Sequence, residues 1–257
     1  MGFIYNGISS QGMKIKARLT NWQLSPTLRN SYVTVPGKSG VADFGCDSAE
    51  RHIVVKCGVY PQSSFAELVS VLDGVAEWLD PSRGLRELIF DDVPDRYFMA
   101  RLSEDVDCTR LIRSAGRFDL DFVCPDPHAY ALNDEAYTIT TSGTHTIARL
   151  KGSAASEPVY FLKGVISSGS STYISLRTNG AELRVVGALA SAETLVIDSG
   201  LVTAKVINAQ GATLRNGLPC LQELNFPALQ KGANTVEVSV AGAAFTELKI
   251  QAKSRWR

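Results

Sequence analysis

The stretch TYISLRTNGAELRVV at residues 172–186 decides the fold class of the chain's second half. Its central pair Asn179-Gly180 is typical of a two-residue hairpin turn, because both turn positions need positive φ. Counting outward from the turn gives two facing pairs, Arg177 with Glu182 and Leu176 with Leu183. Opposite charges then meet on one face and apolar side chains on the other, as cross-strand pairing requires. The stretch therefore predicts a β-hairpin with one fixed register.

The rest of the second half repeats this strand pattern. Turn signals separate the alternating runs at intervals of about 8 to 15 residues, which is typical of a β-sandwich. We predict further strands at residues 195–197, 202–207, 236–240 and 248–252. The second half is thus predicted to be β throughout.

The first half combines strands with one helix. Apolar residues recur at helical spacing from Phe65 to Asp80. Ser64 and Glu67 form a capping box at its start, and Pro81 ends the run. Alternating runs predict half-buried strands at residues 15–19, 53–59, 98–102 and 118–122. A helix between groups of strands predicts an α+β domain with a largely antiparallel sheet.

The composition changes partway along the chain. Residues 1–130 hold 14 Lys plus Arg against 17 Asp plus Glu, whereas residues 131–257 hold 12 against 9 and are rich in Ala, Gly, Ser and Thr. The changeover follows Pro125 and Pro127, which hold the residues before them extended and end any preceding strand. We predict an N-terminal domain at 1–132, a polar connector at 133–156 and a C-terminal sandwich domain at 157–257.

Whole-chain composition excludes several classes of protein. The 257 residues hold 26 Lys plus Arg and 26 Asp plus Glu, which argues against a protein that grips nucleic-acid phosphates through clustered cations. No uncharged apolar stretch approaches the roughly 20 residues of a membrane helix. The first ten residues lack the basic and apolar regions of a signal peptide. The five cysteines lack metal-ligand spacing, so we expect reduced thiols, folding in a reducing cytoplasm and a core position for Cys57.

The sequence contains no motif that predicts catalysis, a metal or a cofactor. Gly37-Lys38-Ser39 is similar to the end of a phosphate-binding loop, but Tyr32 occupies the place of its first glycine, so the segment predicts a flexible loop. Each of the three histidines fits a solvated or hydrogen-bonded position better than a catalytic one. Asp91 and Asp92 cannot by themselves be the facing carboxylate pair of a glycosidase, because adjacent side chains on an extended chain point to opposite faces. The segment instead predicts a turn with an Asx-type hydrogen bond.

Several segments occur in the order seen in one known family. In the first half they are residues 3–7, 36–40, 43–45, 76–79, 88–98 and 122–130. In the second half they are residues 158–160, 195–198, 229–234 and 255–257. Over nearly its whole length the chain resembles the distal tail protein family of siphophages.

The resemblance implies a structural protein of the virion, assembled in the host cytoplasm. In this family six copies form a ring that joins the tail tube protein to the tail tip or baseplate hub protein. The N-terminal domains surround a channel through which DNA passes without being held, and galectin-like C-terminal domains project outward. The implied partners are other copies of the chain, the tube and tip proteins and a receptor-binding protein, with no cofactor and no membrane.

Seven charged residues are our candidates for the ring interface or the channel lining: Arg117, Asp119, Asp121, Lys38, Asp91, Asp92 and Arg96. The first three share one face of a predicted strand, which fits a polar surface, a charge patch between subunits or, less readily, a catalytic site. The alternative functions are a cell-wall carbohydrate-binding module and a hydrolase. Sugar binding by the sandwich is disfavoured, because residues 157–257 contain no His and a single Trp, Trp256.

Overall fold

The computed structural model describes residues 2–104, 106, 108–112, 115–167, 171–222 and 224–257. It divides into two compact units, the first ending at Leu132 and the second comprising Asn133–Trp256. Within the described residues the chain is mostly β-sheet with one α-helix, which confirms the predicted combination of elements.

The first unit is an antiparallel sheet with one helix packed against it. Its elements are β1 (Phe3–Tyr5), β2 (Ile8–Ser9), β3 (Ile15–Leu19), β4 (Leu28–Val33), β5 (Ala42–Ser48), β6 (Arg51–Val59), α1 (Phe65–Trp78), β7 (Arg86–Phe90), β8 (Val93–Leu102), β9 (Thr109–Ile112), β10 (Ala115–Cys124) and β11 (Ala129–Ala131). The main path of the sheet runs β2-β1-β7-β8-β10-β6-β3, with β9 beside β10 and β11 beside β8. Strands β4 and β5 pair with each other in a separate two-stranded sheet.

Helix α1 closes the core of the first unit. Its N-cap Ser64 accepts a hydrogen bond from the Glu67 amide at 3.2 Å, as the capping box predicts. The Glu67 carboxylate, however, accepts from the amide of Ser63 at 3.0 Å, one residue before the predicted partner. At the other end Trp78 stacks on Phe3 with ring centroids 5.5 Å apart. The helix is therefore fixed at its start by hydrogen bonds and at its end by aromatic packing.

The second unit consists of two antiparallel sheets around one core. Its strands are β12 (Ala136–Ile139), β13 (Gly143–Arg149), β14 (Val159–Val165), β15 (Tyr173–Thr178), β16 (Ala181–Val185), β17 (Thr194–Asp198), β18 (Thr203–Ile207), β19 (Thr213–Asn216), β20 (Gly232–Ala241), β21 (Ala244–Gln251) and β22 (Arg255–Trp256). One sheet has the order β12-β21-β14-β17-β18-β19 and the other β13-β20-β15-β16. Buried residues of both sheets, such as Leu162 and Ile174, belong to one hydrophobic cluster.

The hairpin of β15 and β16 has the register predicted from the sequence. Strands β15 and β16 pair Arg177 with Glu182 and Leu176 with Leu183, and both leucines are buried. The Arg177 guanidinium lies 3.0 Å from the Glu182 carboxylate. Hydrogen bonds from Ser175 and Arg177 hold the pKa of Glu182 well below its usual range, at about 2. The turn residues Asn179 and Gly180 have φ of 49° and 91°, as this turn requires.

Replacement of Gly180 in this turn should destabilise the second unit. Gly180→Ala places a Cβ in the left-handed region, which costs roughly 1–2 kcal/mol of the free energy of unfolding. Urea unfolding monitored by fluorescence measures the loss. Gly58→Ala is the matched control, because Gly58 does not have positive φ and its added Cβ would lie 3.8 Å from the nearest backbone oxygen. An equal loss of unfolding free energy in both variants would contradict the positive φ assigned to Gly180.

The prediction of a polar connector at 133–156 is wrong. This segment supplies β12, which pairs with β21, and β13, which pairs with β20 along its whole length. The strands are rich in Thr and place few apolar side chains inward, among them the buried Ile139 and Ile147. Because few of their side chains are apolar, the hydrophobic pattern did not reveal them.

Candidate functional site

The hairpin formed by β4 and β5, here called the arm, has no partner strand in the described part of the chain. Its register pairs Leu28 with Ser48 and Val33 with Ala42, with an irregularity between Asn30 and Tyr32. Every residue of β4 is exposed, and so is every residue of β5 after Ala42. Both outer edges of the arm therefore present unpaired backbone groups to the surroundings.

Apolar side chains are concentrated on the arm and its tip. Phe44 is 71% exposed, the highest value among them. The other exposed large hydrophobic residues of this region are Leu28, Tyr32, Val33, Val35 and Val41. An isolated two-stranded hairpin is marginally stable in water, and contiguous exposed apolar groups mark interaction sites. The arm has the properties of a segment that is completed by a partner surface.

The tip of the arm carries the segment that is similar to a phosphate-binding loop. Gly37 and Gly40 both have φ of 80°, and the Lys38 amide donates to the Val35 carbonyl at 3.1 Å. Lys38 is exposed there. The segment is thus the turn of a hairpin and does not precede a helix, as a phosphate-binding loop would.

The arm was not predicted from the sequence, because its strands have no buried face and hence no alternating apolar pattern. The signal that could have found it is the turn-rich segment 34–41 between two short runs of β-forming residues.

Strand β10 places the candidates Arg117, Asp119 and Asp121 on its outward face, between buried core residues. In the neighbouring strands Lys56 of β6 lies directly opposite Asp119, and Arg18 of β3 lies opposite Lys56. The three candidates thus belong to a charged sheet face.

Asp121 makes defined contacts on that face. Its Oδ2 lies 2.9 Å from His52 Nδ1 and accepts a hydrogen bond from Ser103 Oγ at 2.8 Å. The carboxylate therefore lies between the imidazole and the hydroxyl. A serine nucleophile needs the imidazole next to its hydroxyl, with the carboxylate behind the ring, so this arrangement does not activate Ser103.

The remaining candidates lie on other elements. Asp91 and Asp92 form the exposed turn between β7 and β8, as predicted, and the Asp91 amide donates to the Gly2 carbonyl at 3.1 Å. Arg96 of β8 forms a two-pronged ion pair with its neighbour Asp95, at 2.9 and 3.0 Å. The seven candidates therefore do not form one constellation.

The described residues contain no group of three or more His, Cys, Asp or Glu that could hold a metal ion. In that same part of the chain, no helix has the length and apolar character needed to cross a bilayer. Cys57 is buried as predicted, and burial raises the pKa of its thiol to about 12.

A cleft in the second unit is relevant to the alternative function, carbohydrate binding. It has a volume of about 510 Å³ and lies over the outward side of the larger sheet. Phe161 is the aromatic residue among those that line it, together with Lys163 and Glu247, which pair at 3.0 Å. The cleft is in the size range of ligand pockets but contains no indole on which a sugar could stack.

Comparison with known proteins places the arm and the charged face within a tail domain. Residues 7–124 match the family described as phage tail protein RIFT-related domain. The match lies within the first unit. The matched residues include β3 to β10 and helix α1. No curated protein is similar enough to the chain to count as a match.

Solved structures extend the similarity to the whole chain. SPP1 Dit (gp 19.1), described as a paradigm of the hub adsorption apparatus in phages that infect Gram-positive bacteria, matches with a TM-score of 0.77 at 14% identity, over 100% of this chain and 99% of that one. The phage P2 baseplate in its activated conformation with Ca gives a TM-score of 0.49 at 11% identity, over 96% and 93% of the two chains. The match to SPP1 Dit shows that both units have the Dit fold.

The predicted resemblance to siphophage distal tail proteins is confirmed, by the tail domain family in the first unit and by the Dit fold of the whole chain. The tail domain supports a structural role in a phage tail.

Proposed function

We propose that the chain is a distal tail protein whose copies close into a six-membered ring between the tail tube and the tail tip or baseplate. The first unit forms the ring and frames the channel for DNA. The second unit, a galectin-like sandwich in this proposal, projects outward and carries the adsorption components, including a receptor-binding protein. The protein acts by assembly rather than by catalysis.

The observation that carries this proposal is the arm. A two-stranded sheet with both edges unpaired and with Phe44, Tyr32 and Val33 exposed needs an additional surface to be stable. A neighbouring copy supplies that surface if the arm of one copy packs on a different patch of the next. Such heterologous contacts close into a ring when the rotation that relates neighbouring copies is a whole-number fraction of a full turn.

The test is the mass of the assembled particle. The purified full chain, with and without its tail tube protein, is measured by light scattering and imaged by negative stain. We expect rings with six times the 27.7 kDa mass of one chain. A chain that stays monomeric even with the tube protein, or tails that assemble normally without this chain, would overturn the proposal.

A further inference from the structure

The outward face of the first unit's sheet carries an excess of positive charge. We define the cationic face as the exposed side chains of four neighbouring strands: Lys16 and Arg18 on β3, Lys56 on β6, Arg117 on β10 and Arg101 on β8. Asp119 and Asp121 are the acids of β10 on the same face. Five cations thus lie with two acids on a continuous surface.

The register of the strands makes this arrangement costly for an isolated copy. Lys56 has Asp119 opposite it on one side and Arg18 on the other, and the like charge of Arg18 in that position destabilises the sheet. Lys16 and Arg117 both lie opposite Gly58, from its two sides. Within the described residues none of these four cations makes an ion pair within 4.0 Å. Asp121 is already engaged by His52 and Ser103.

The rest of the same unit has the opposite charge. Residues 1–132 hold 14 Lys plus Arg and 17 Asp plus Glu, so removing the five cations and two acids of the face leaves nine cations against fifteen acids. Asp91 and Asp92 are exposed on the turn between β7 and β8, here called the acidic turn. The backbone of that turn is held by the hydrogen bond that the Asp91 amide donates to the Gly2 carbonyl, so the turn has a fixed position on the first unit.

We propose that the cationic face of one copy binds the acidic turn of the next copy in the ring. This inference rests on the proposed function and names the two surfaces that meet. The cationic face and the acidic turn are different parts of the chain. The face of one copy can therefore bind one neighbour while its turn binds the other neighbour, and such head-to-tail contacts close rings. The complementary charges of this interface increase the association rate and disfavour wrong orientations of the two copies.

Duplex DNA is the other polyanion that the face could meet, and the proposed function argues against it. A channel wall with five cations per copy would hold phosphates through counterion release, whereas DNA must leave the particle without being held. A second copy offers matching charge at a fixed position. The cationic face is therefore assigned to the contact between copies and not to the channel lining.

Reversal and exchange of the charges test this assignment in the full chain with its tube protein. Lys56→Glu with Arg117→Glu, and separately Asp91→Lys with Asp92→Lys, should each lower the ring population at least about tenfold at low salt. A chain that carries all four substitutions again has opposite charges at positions 56 and 117 and at the turn, although Lys16, Arg18 and Arg101 stay positive, and it should recover part of the ring population. Lys205→Glu with Lys249→Glu, on exposed strand positions of the second unit, is the control and should leave the rings intact.

A second measurement separates assembly from folding. Lys56→Glu gives Arg18 an opposite charge across the strands but places a like charge opposite Asp119, so the variant monomer should melt close to the wild-type temperature while it loses rings. Rings that form equally well in both reversal variants, or a four-substitution chain that does not recover them, overturn the inference. So does duplex DNA binding by the wild type that Lys56→Glu abolishes. A wild type that never forms rings overturns the proposed function itself.

Discussion

Phe44→Asp on the arm should abolish ring formation while the fold of each copy is unchanged. In the isolated chain Phe44 is 71% exposed, so its replacement removes little packing from the monomer. In the ring the phenyl group is buried by the neighbour, which contributes about 1.5–3 kcal/mol per interface. Its loss alone weakens each contact by about 10- to 100-fold, and the cost of burying a carboxylate adds to this.

Sedimentation velocity of the variant, with and without the tube protein, measures this effect, and circular dichroism checks the fold. Leu201→Asp is the matched control, since Leu201 is 73% exposed on a turn of the second unit, which has no part in the proposed contact. We expect this control to form rings as the wild type does. Normal rings from Phe44→Asp would remove the arm from the interface, and loss of rings in both variants would indicate a general effect of added charge.

The elements predicted correctly from sequence are those that have one buried face and local end signals. Helix α1 was defined by apolar spacing together with Ser64 and Pro81, all within 18 residues of one another. The register of β15 and β16 followed from a two-residue turn, because such a turn leaves no freedom in the pairing. In both cases the interactions that decide the structure are close in sequence.

The candidate site could not be predicted in the same way. The arm has no buried face in the monomer, so its sequence does not alternate between apolar and polar residues. The cationic face depends on β3, β6 and β10 being neighbours, although their residues lie 40 to 100 positions apart in sequence. Strand order is set by the packing of the whole unit, and no local pattern encodes it. Arg117 could thus be proposed from sequence, but Lys16, Arg18 and Lys56 could not.

The segment mistaken for a connector contains the residue with the largest expected effect on stability. Arg149, at the end of β13, is fully buried. Its Nη1 donates to the Lys151 carbonyl at 2.9 Å, its Nη2 to the Ala154 carbonyl at 2.6 Å and its Nε to the Gln230 carbonyl at 3.2 Å. Burial lowers the pKa of this guanidinium, but the three carbonyls give it the partners that a buried charge needs.

Arg149→Met should therefore destabilise the second unit by about 2–3 kcal/mol, because the buried Ala154 carbonyl loses its donor at a cost of about 1–3 kcal/mol and the two partly buried carbonyls of Lys151 and Gln230 lose theirs at a smaller cost, partly offset by removal of a desolvated charge. Urea unfolding measures the loss. Limited trypsin digestion locates it, since the loop around Lys151 should be cut faster than in the wild type.

Two further variants show whether the geometry of the guanidinium is responsible. Arg149→Lys keeps the charge but lacks the planar fork that reaches three carbonyls, so it should recover part of the stability. Arg215→Met removes an exposed arginine that is bound to Glu193 and to the Ala188 carbonyl, and it should cost less than about 1 kcal/mol. If Arg149→Met cost no more than Arg215→Met, the start of the second unit would not be held by its buried arginine, and residues 150–156 would have to be fixed by their other contacts, such as the amides of Leu150 and Lys151 that donate to the Glu135 carboxylate.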